Sequence, residues 1–119
     1  MQLRDNKKNI THPNKWVFPG GHLRKKETKV NAAKREFFEE TNYKCKKVEY
    51  LMEINLSMLD KNKLKIFYFL SKYKKGQKII CKEGQDLKFF SIRQALKLRT
   101  PKYLSGVLFM LKSLVDHKL

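Results

Sequence analysis

Four glutamates, Glu27, Glu36, Glu39 and Glu40, fall within residues 27–40 of a 119-residue chain that holds only eleven acidic residues and has a formal charge of +17. Carboxylates gathered so closely in a basic protein call for a partner, and the fitting one is a divalent metal ion that holds a phosphate chain. At about 100° per residue, Glu36, Glu39 and Glu40 span an arc of roughly 100° that borders the apolar face of Val30, Ala33 and Phe37. They are expected at the edge of a core, where like charges three and four residues apart cost roughly a few tenths of a kcal/mol per pair, and more when part-buried. A hard cation removes that cost, and carboxylate oxygens suit Mg2+ or Mn2+, which keep several waters and share their remaining positions with substrate phosphates. Upstream, Pro19-Gly20-Gly21 makes a turn whose backbone can come close to a ligand, so a carbonyl such as that of Gly20 could complete the shell. For Glu-x-x-Glu-Glu alone, a solvated acidic helix face after a glycine turn is the simpler reading. It weakens once Gly21, Glu27, Arg35, Glu36 and the Glu39-Glu40 pair are required together.

The elements that must position these groups are legible from periodicity. Residues 16–18, Trp-Val-Phe before Pro19-Gly20-Gly21, read as a short strand that ends in a turn, after a polar loop over residues 6–15. Between residues 28 and 41 the pattern is helical, with Val30, Ala33, Phe37 and Thr41 on one face, Thr28 as N-cap and Asn42 at the left-handed C-cap position. Residues 47–56 and 63–73 are rich in Val, Ile, Leu, Phe and Tyr and read as two strands, with residues 58–62 as a hairpin connection. Residues 78–81 and 87–90 read as two shorter strands, Ser91 as the cap of a helix over 92–98, and Pro101 as the opening of a last helix. That last helix carries an apolar stripe of Leu104, Val107, Leu108 and Leu111. Strands and helices mix without regular alternation, so the class is α/β or α+β with a mixed sheet.

Length and composition bound the rest. A chain of 119 residues and 14.2 kDa is expected to form one domain, residues 1–119, with one core. Its longest apolar stretches, such as residues 66–70, are far too short to span a bilayer, and no apolar signal segment follows the first residues, so a cytoplasmic location and no membrane partner are expected. Cys45 and Cys81 lack a Cys-x-x-Cys pattern and read as ordinary thiols. The excess of 28 basic over 11 acidic residues attracts polyanions. Its lysines are scattered rather than striped, which is a compositional bias more than a dedicated nucleic-acid face.

The joint pattern resembles the Nudix box of the Nudix hydrolase (MutT-like) family, Gly-x5-Glu-x7-Arg-Glu-U-x-Glu-Glu-x-Gly-U with U aliphatic or aromatic. Gly21, Glu27, Arg35, Glu36, Phe37, Glu39, Glu40 and Tyr43 fill its positions, and Asn42 replaces the last glycine. Trp16-Val-Phe-Pro-Gly-Gly before the box and Glu83-Gly-Gln-Asp-Leu-Lys-Phe-Phe-Ser after it are also similar to the family, so the resemblance covers nearly the whole chain. It implies a Nudix fold, a mixed β-sheet in an α/β/α sandwich, with the first core strand truncated, because Gln2-Leu3-Arg4-Asp5 corresponds to that strand's end. A shortened sheet would be covered by a homodimer or would weaken the protein and its activity.

The resemblance also implies roles. Glu36, Glu39 and Glu40 would bind Mg2+, or Mn2+ in its place, and Arg35 would pair with Glu27 or Glu39 and hold it. Glu39 is the first candidate for general base, and Glu83, from a downstream loop, the second. From their place at or near the glycine turn, Gly20, Gly21, His22 and Lys25 are expected along the phosphates, helped by Lys26 and Lys15, and His22 reads equally as a residue that simply caps the turn. Trp16 could stack on a nucleobase, although a tryptophan between two apolar strand residues is more often core. The expected function is a Mg2+-dependent pyrophosphohydrolase that cleaves a nucleoside diphosphate linked to another group, a nucleoside or deoxynucleoside triphosphate or a nucleotide derivative, to a nucleoside monophosphate. Two alternatives stand beside this small-nucleotide substrate: removal of pyrophosphate from RNA 5' ends, and a nucleotide-binding module without turnover.

Overall fold

The computed structural model describes residues 1–56 and 65–118, in two compact units: residues 1–18 with 83–119, and residues 19–82. The hairpin connection expected over residues 58–62 lies outside the described residues.

The first unit joins both ends of the sequence. Strand β1 (Gln2–Leu3) is the centre of a three-stranded antiparallel sheet, between β2 (Trp16–Val17) and β5 (Asp86–Leu87), with Gln2 opposite both Val17 and Leu87. The strands are short, but backbone bonds continue the pairing on both sides, from Arg4 to the Lys15 carbonyl (3.0 Å) and from Gln85 to the Leu3 carbonyl (2.7 Å). Gly84 makes the second of these approaches achievable: its φ is +82°, and a Cβ there would meet the Leu3 oxygen at 2.5 Å. The core of this unit comes from its helices. Ser91 caps α2 (Ile92–Ala95) in a reciprocal box with Gln94. The turn runs on to Leu98 through bonds from Lys97 and Leu98 to the carbonyls three residues back, so the helix expected over 92–98 is shorter than its winding. Helix α3 (Leu104–Lys118) follows Pro101 and buries Leu104, Val107 and Leu108, the stripe that its spacing of three and four predicts. Trp16 is half-buried, with its ring edge-to-face on Phe90 at 5.0 Å.

In the second unit, α1 (Lys29–Thr41) begins where the Thr28 side chain accepts from the Asn31 N–H and ends at Asn42, whose φ is 64°. Strands β3 (Glu49–Asn55) and β4 (Lys65–Leu70) pair antiparallel with an irregularity between Tyr50 and Met52, and the Lys29 ammonium lies 4.0 Å from the centre of the Phe67 ring. All strand pairs among the described residues are antiparallel. Residues 78–81 form no strand. Their segment instead closes the C-terminal end of α1: Ile80 and Lys82 donate to the carbonyls of Thr41 and Glu40, at 2.9 and 3.1 Å, and the Asn42 side chain donates to the Lys78 carbonyl. The last carbonyls of a helix lack partners within it, and this pairing supplies them. Among the described residues, no helix is long and apolar enough to cross a membrane.

Candidate active site

Arg35 sits near the middle of α1 and is only 18% exposed, so its guanidinium needs partners inside the protein. It has five N–H donors, and five hydrogen bonds are present. Nε and Nη2 grip the two oxygens of Glu27 at 2.7 and 2.9 Å; Nη1 reaches Glu36 Oε1 at 2.7 Å and Glu39 Oε2 at 3.2 Å; Nη2 also donates to the His22 carbonyl at 3.0 Å. A planar fork of donors can hold this arrangement, and a single ammonium cannot.

The loop before the helix is folded to meet the fork. Glu27 N–H donates to the Arg24 carbonyl and Arg24 N–H donates to Glu27 Oε1, at 3.1 and 3.0 Å, which closes a turn on the glutamate itself. The Arg35 hydrogen bonds, and after them the Arg24 N–H, hold the Glu27 carboxyl down at about 2. In return, the hydrogen bonds to Glu27 and then Glu36 raise the Arg35 guanidinium above its ordinary range.

Gly21 has a second structural duty. A Cβ at this position would overlap the Glu36 carboxyl, so any side chain here would push that carboxylate out of its place on Arg35. No such crowding surrounds Gly20, where a Cβ would meet open space. Gly20, Gly21, His22, Lys25 and Lys26 are all exposed beside this turn.

The three glutamates expected along one edge of the helix differ in depth. Glu39 is the most exposed, with 44% of its side chain accessible; Glu36 is part-buried; Glu40 is buried, at 4% exposure. Glu39 also accepts from Arg24 Nη2 through its other oxygen, Oε1, at 3.5 Å. Arg35 thus meets both of its expected partners, Glu27 and Glu39, and a third, Glu36, beside it in sequence. Glu83 belongs to the other compact unit, where its carbonyl accepts from the buried Gln2 amide at 2.9 Å and where it borders a cavity of about 200 Å3 with Gln2, Arg4, Asp5 and Lys7. Lys15 is also in that unit.

The pattern of the NUDIX domain matches residues 2–108, almost the whole chain and all of the site above. The chain belongs to the Nudix family. Nudix hydrolases act on phosphoanhydride bonds and generally use divalent metal ions. The α/β content, with its two small antiparallel sheets and its helices, agrees with that fold. Over 71 residues the chain is 39% identical to an 8-oxo-dGTP diphosphatase of Buchnera aphidicola subsp. Acyrthosiphon pisum (strain APS), a match that covers 60% of this chain. The chain spans about half the length of that curated relative, 52%.

The Nudix box fits a divalent metal in kind: its donors are hard carboxylate oxygens, and one of them, Glu36, abuts a glycine turn with exposed backbone. Among the described residues, no three His, Cys, Asp or Glu side chains are gathered around a common point, and Arg35 Nη1 bridges Glu36 and Glu39. Arg24 contributes to this site from a position that the box pattern leaves unspecified, as does the His22 carbonyl. The signal of Arg24 in the sequence is its place three residues before Glu27, the separation at which a turn closes on itself.

Proposed function

We propose that the chain is a metal-dependent pyrophosphohydrolase that cleaves a nucleoside or deoxynucleoside triphosphate, or a related nucleoside diphosphate derivative, to the monophosphate, with Mg2+ as its metal and Mn2+ as a substitute. The observation that carries this reading is the Arg35 hub, which holds Glu27, Glu36 and Glu39 at one guanidinium beside the glycine turn. Glu36, Glu39 and Glu40 would hold the cation. Once bound, it neutralises phosphate charge and makes a water nucleophilic near neutral pH.

The chain's own residues supply the rest. Gly20 and Gly21 let the phosphates approach the backbone, and His22, Lys25 and Lys26 add donors and positive charge. Glu39, the box carboxylate most open to water, takes the proton as water attacks phosphorus. The bridging P–O bond breaks, and the group on its far side leaves with the electron pair: pyrophosphate from a triphosphate attacked at its α-phosphorus, the substituted phosphate from a diphosphate derivative. Arg35 keeps Glu39 aimed throughout, and its fixed dipoles need no reorganisation as charge develops. Glu83 remains the second candidate for the base. The 8-oxo-dGTP named for the Buchnera relative makes oxidised purine triphosphates the first substrates to try.

The test is a panel of nucleoside triphosphates, 8-oxo-dGTP and nucleotide sugars, with and without Mg2+, beside Glu40→Gln. Metal-dependent release of monophosphate that disappears in the variant establishes the hydrolase. If the folded protein leaves the panel intact but trims 5'-triphosphorylated RNA, the charge of +17 serves an RNA strand instead. Nucleotide binding without turnover of either would identify a binding module.

A further inference from the structure

We infer that Arg24 is a positioning residue that restrains Glu39 in the resting protein and leaves it for the phosphate chain when substrate arrives. The inference rests on the hydrolase reading above. Arg24 is a paradox as an ordinary surface arginine, because its backbone is fixed while its side chain is not. The turn with Glu27 holds its N–H and its carbonyl, and Glu27 is itself clamped by Arg35. The guanidinium beyond is 66% exposed and reaches Glu39 Oε1 only at 3.5 Å, the outer limit of a hydrogen bond.

Glu39 is therefore held by two arginines of unequal permanence. Arg35 grips Oε2 from a part-buried position with all five of its donors engaged, so it has nothing to offer a ligand. Arg24 holds Oε1 from solvent, and exposed pairs of this length contribute little to stability. Its donors can be transferred to a stronger acceptor, and a phosphate chain is one, since guanidinium matches phosphate with paired N–H donors. The transfer frees Oε1 of Glu39 at the moment when an anionic substrate is present. It couples the availability of that carboxylate to occupancy of the site.

The proposal predicts effects of opposite sign. Mn2+ binding to the full chain without nucleotide, followed by electron paramagnetic resonance of the free ion, would be compared in the wild type, Arg24→Gln and Arg24→Lys, beside KM, kcat and Tm. In Arg24→Gln, Mn2+ binds about fivefold tighter, the order of effect that removing one exposed unit charge near a divalent ion has in water. KM for a nucleoside triphosphate rises about tenfold, the size of one lost hydrogen bond between charged partners, while kcat changes by less than about twofold. Arg24→Lys keeps the charge and falls between the two.

Unchanged Mn2+ binding and KM, or a loss of both together with a lower Tm, would overturn the proposal, because a structural role moves them in the same direction. If the wild type hydrolyses nothing, the hydrolase reading fails and the Mn2+ comparison still decides the coupling: tighter binding in Arg24→Gln upholds the restraint on Glu39, and equal binding, or none in either chain, ends it.

Discussion

Two regions of this protein are held together in different ways. The Arg35 hub is polar, and its partners come from residues 22–39, a short run in which helix and preceding loop fold against each other. The unit containing β1 is held by an apolar stripe on α3 and by a sheet whose strands come from both ends of the sequence. The hub is directional: each donor has one acceptor, and a change of shape at constant charge breaks it. Apolar packing is undirected, and its strength follows the volume and area buried. Chemistry needs the first kind of order, and the cost of chain closure between distant segments is offset by the second.

The largest effect on stability should come from the apolar unit. Leu108→Ala, at a residue 2% exposed, should cost about 2–5 kcal/mol in urea unfolding, with kcat per folded molecule near wild type. A comparable loss of kcat at a temperature where the variant is folded would erase the division between the regions.

Arg35→Lys should do the reverse. It keeps the charge but offers three donors without a planar fork, so the clamp on Glu27, Glu36 and Glu39 is lost, and kcat/KM should fall about a hundredfold, the effect of misplacing a reacting group by about 1 Å. Turnover within a fewfold of wild type would show that charge alone, and not the five-bond geometry, serves the site.

Asn42 sharpens the comparison at the end of α1. Asn42→Ala should cost about 1–2 kcal/mol, because alanine is strained at φ 64° and the bond to the Lys78 carbonyl is lost. Asn42→Gly, which restores the residue that the box pattern carries, should be near neutral by the same thermal measurement.

The pH response of Glu27 tests the hub from its carboxylate side. Its carboxyl is held at about 2 in the folded chain, below the ordinary 4.5, by Arg35 and then by the Arg24 N–H. Its contribution to stability is therefore complete above about pH 4.5 and is lost as pH falls through 4.5 toward 2. Subtracting the acid-limb stability curve of Glu27→Gln from that of wild type should leave a difference that shrinks across this window. A difference independent of pH would mean that the clamp does not depend on the ionised carboxylate.

Much of the site was legible because its parts are local. Thr28 and Asn42 mark the ends of α1 through cap preferences that depend on the residues themselves, and the glutamates follow from helical period. The lengths of the shorter elements were less legible. Residues 78–81 have strand-like composition, yet the N–H of Ile80, with that of Lys82 just beyond, goes to the carbonyls at the end of α1. A residue-by-residue propensity does not register that demand, since the acceptors lie about forty residues earlier. The depth of Glu40 was missed for a related reason. Periodicity assigns a side chain to a direction around the helix, and only the segments packed beside it determine whether that direction leads to water.

The amino-acid order alone determined the family box, the capped helix, the carboxylate spacing and the apolar stripe on α3, since each follows from backbone geometry repeating over a few residues. Tertiary structure decided that Arg35 engages three carboxylates at once, that Arg24 shares Glu39, that Glu40 is buried, and that residues 1–18 join residues 83–119 in one unit. These depend on how loops close and which orphan groups they satisfy. That selection is made by the free energy of the whole fold, not by local preference.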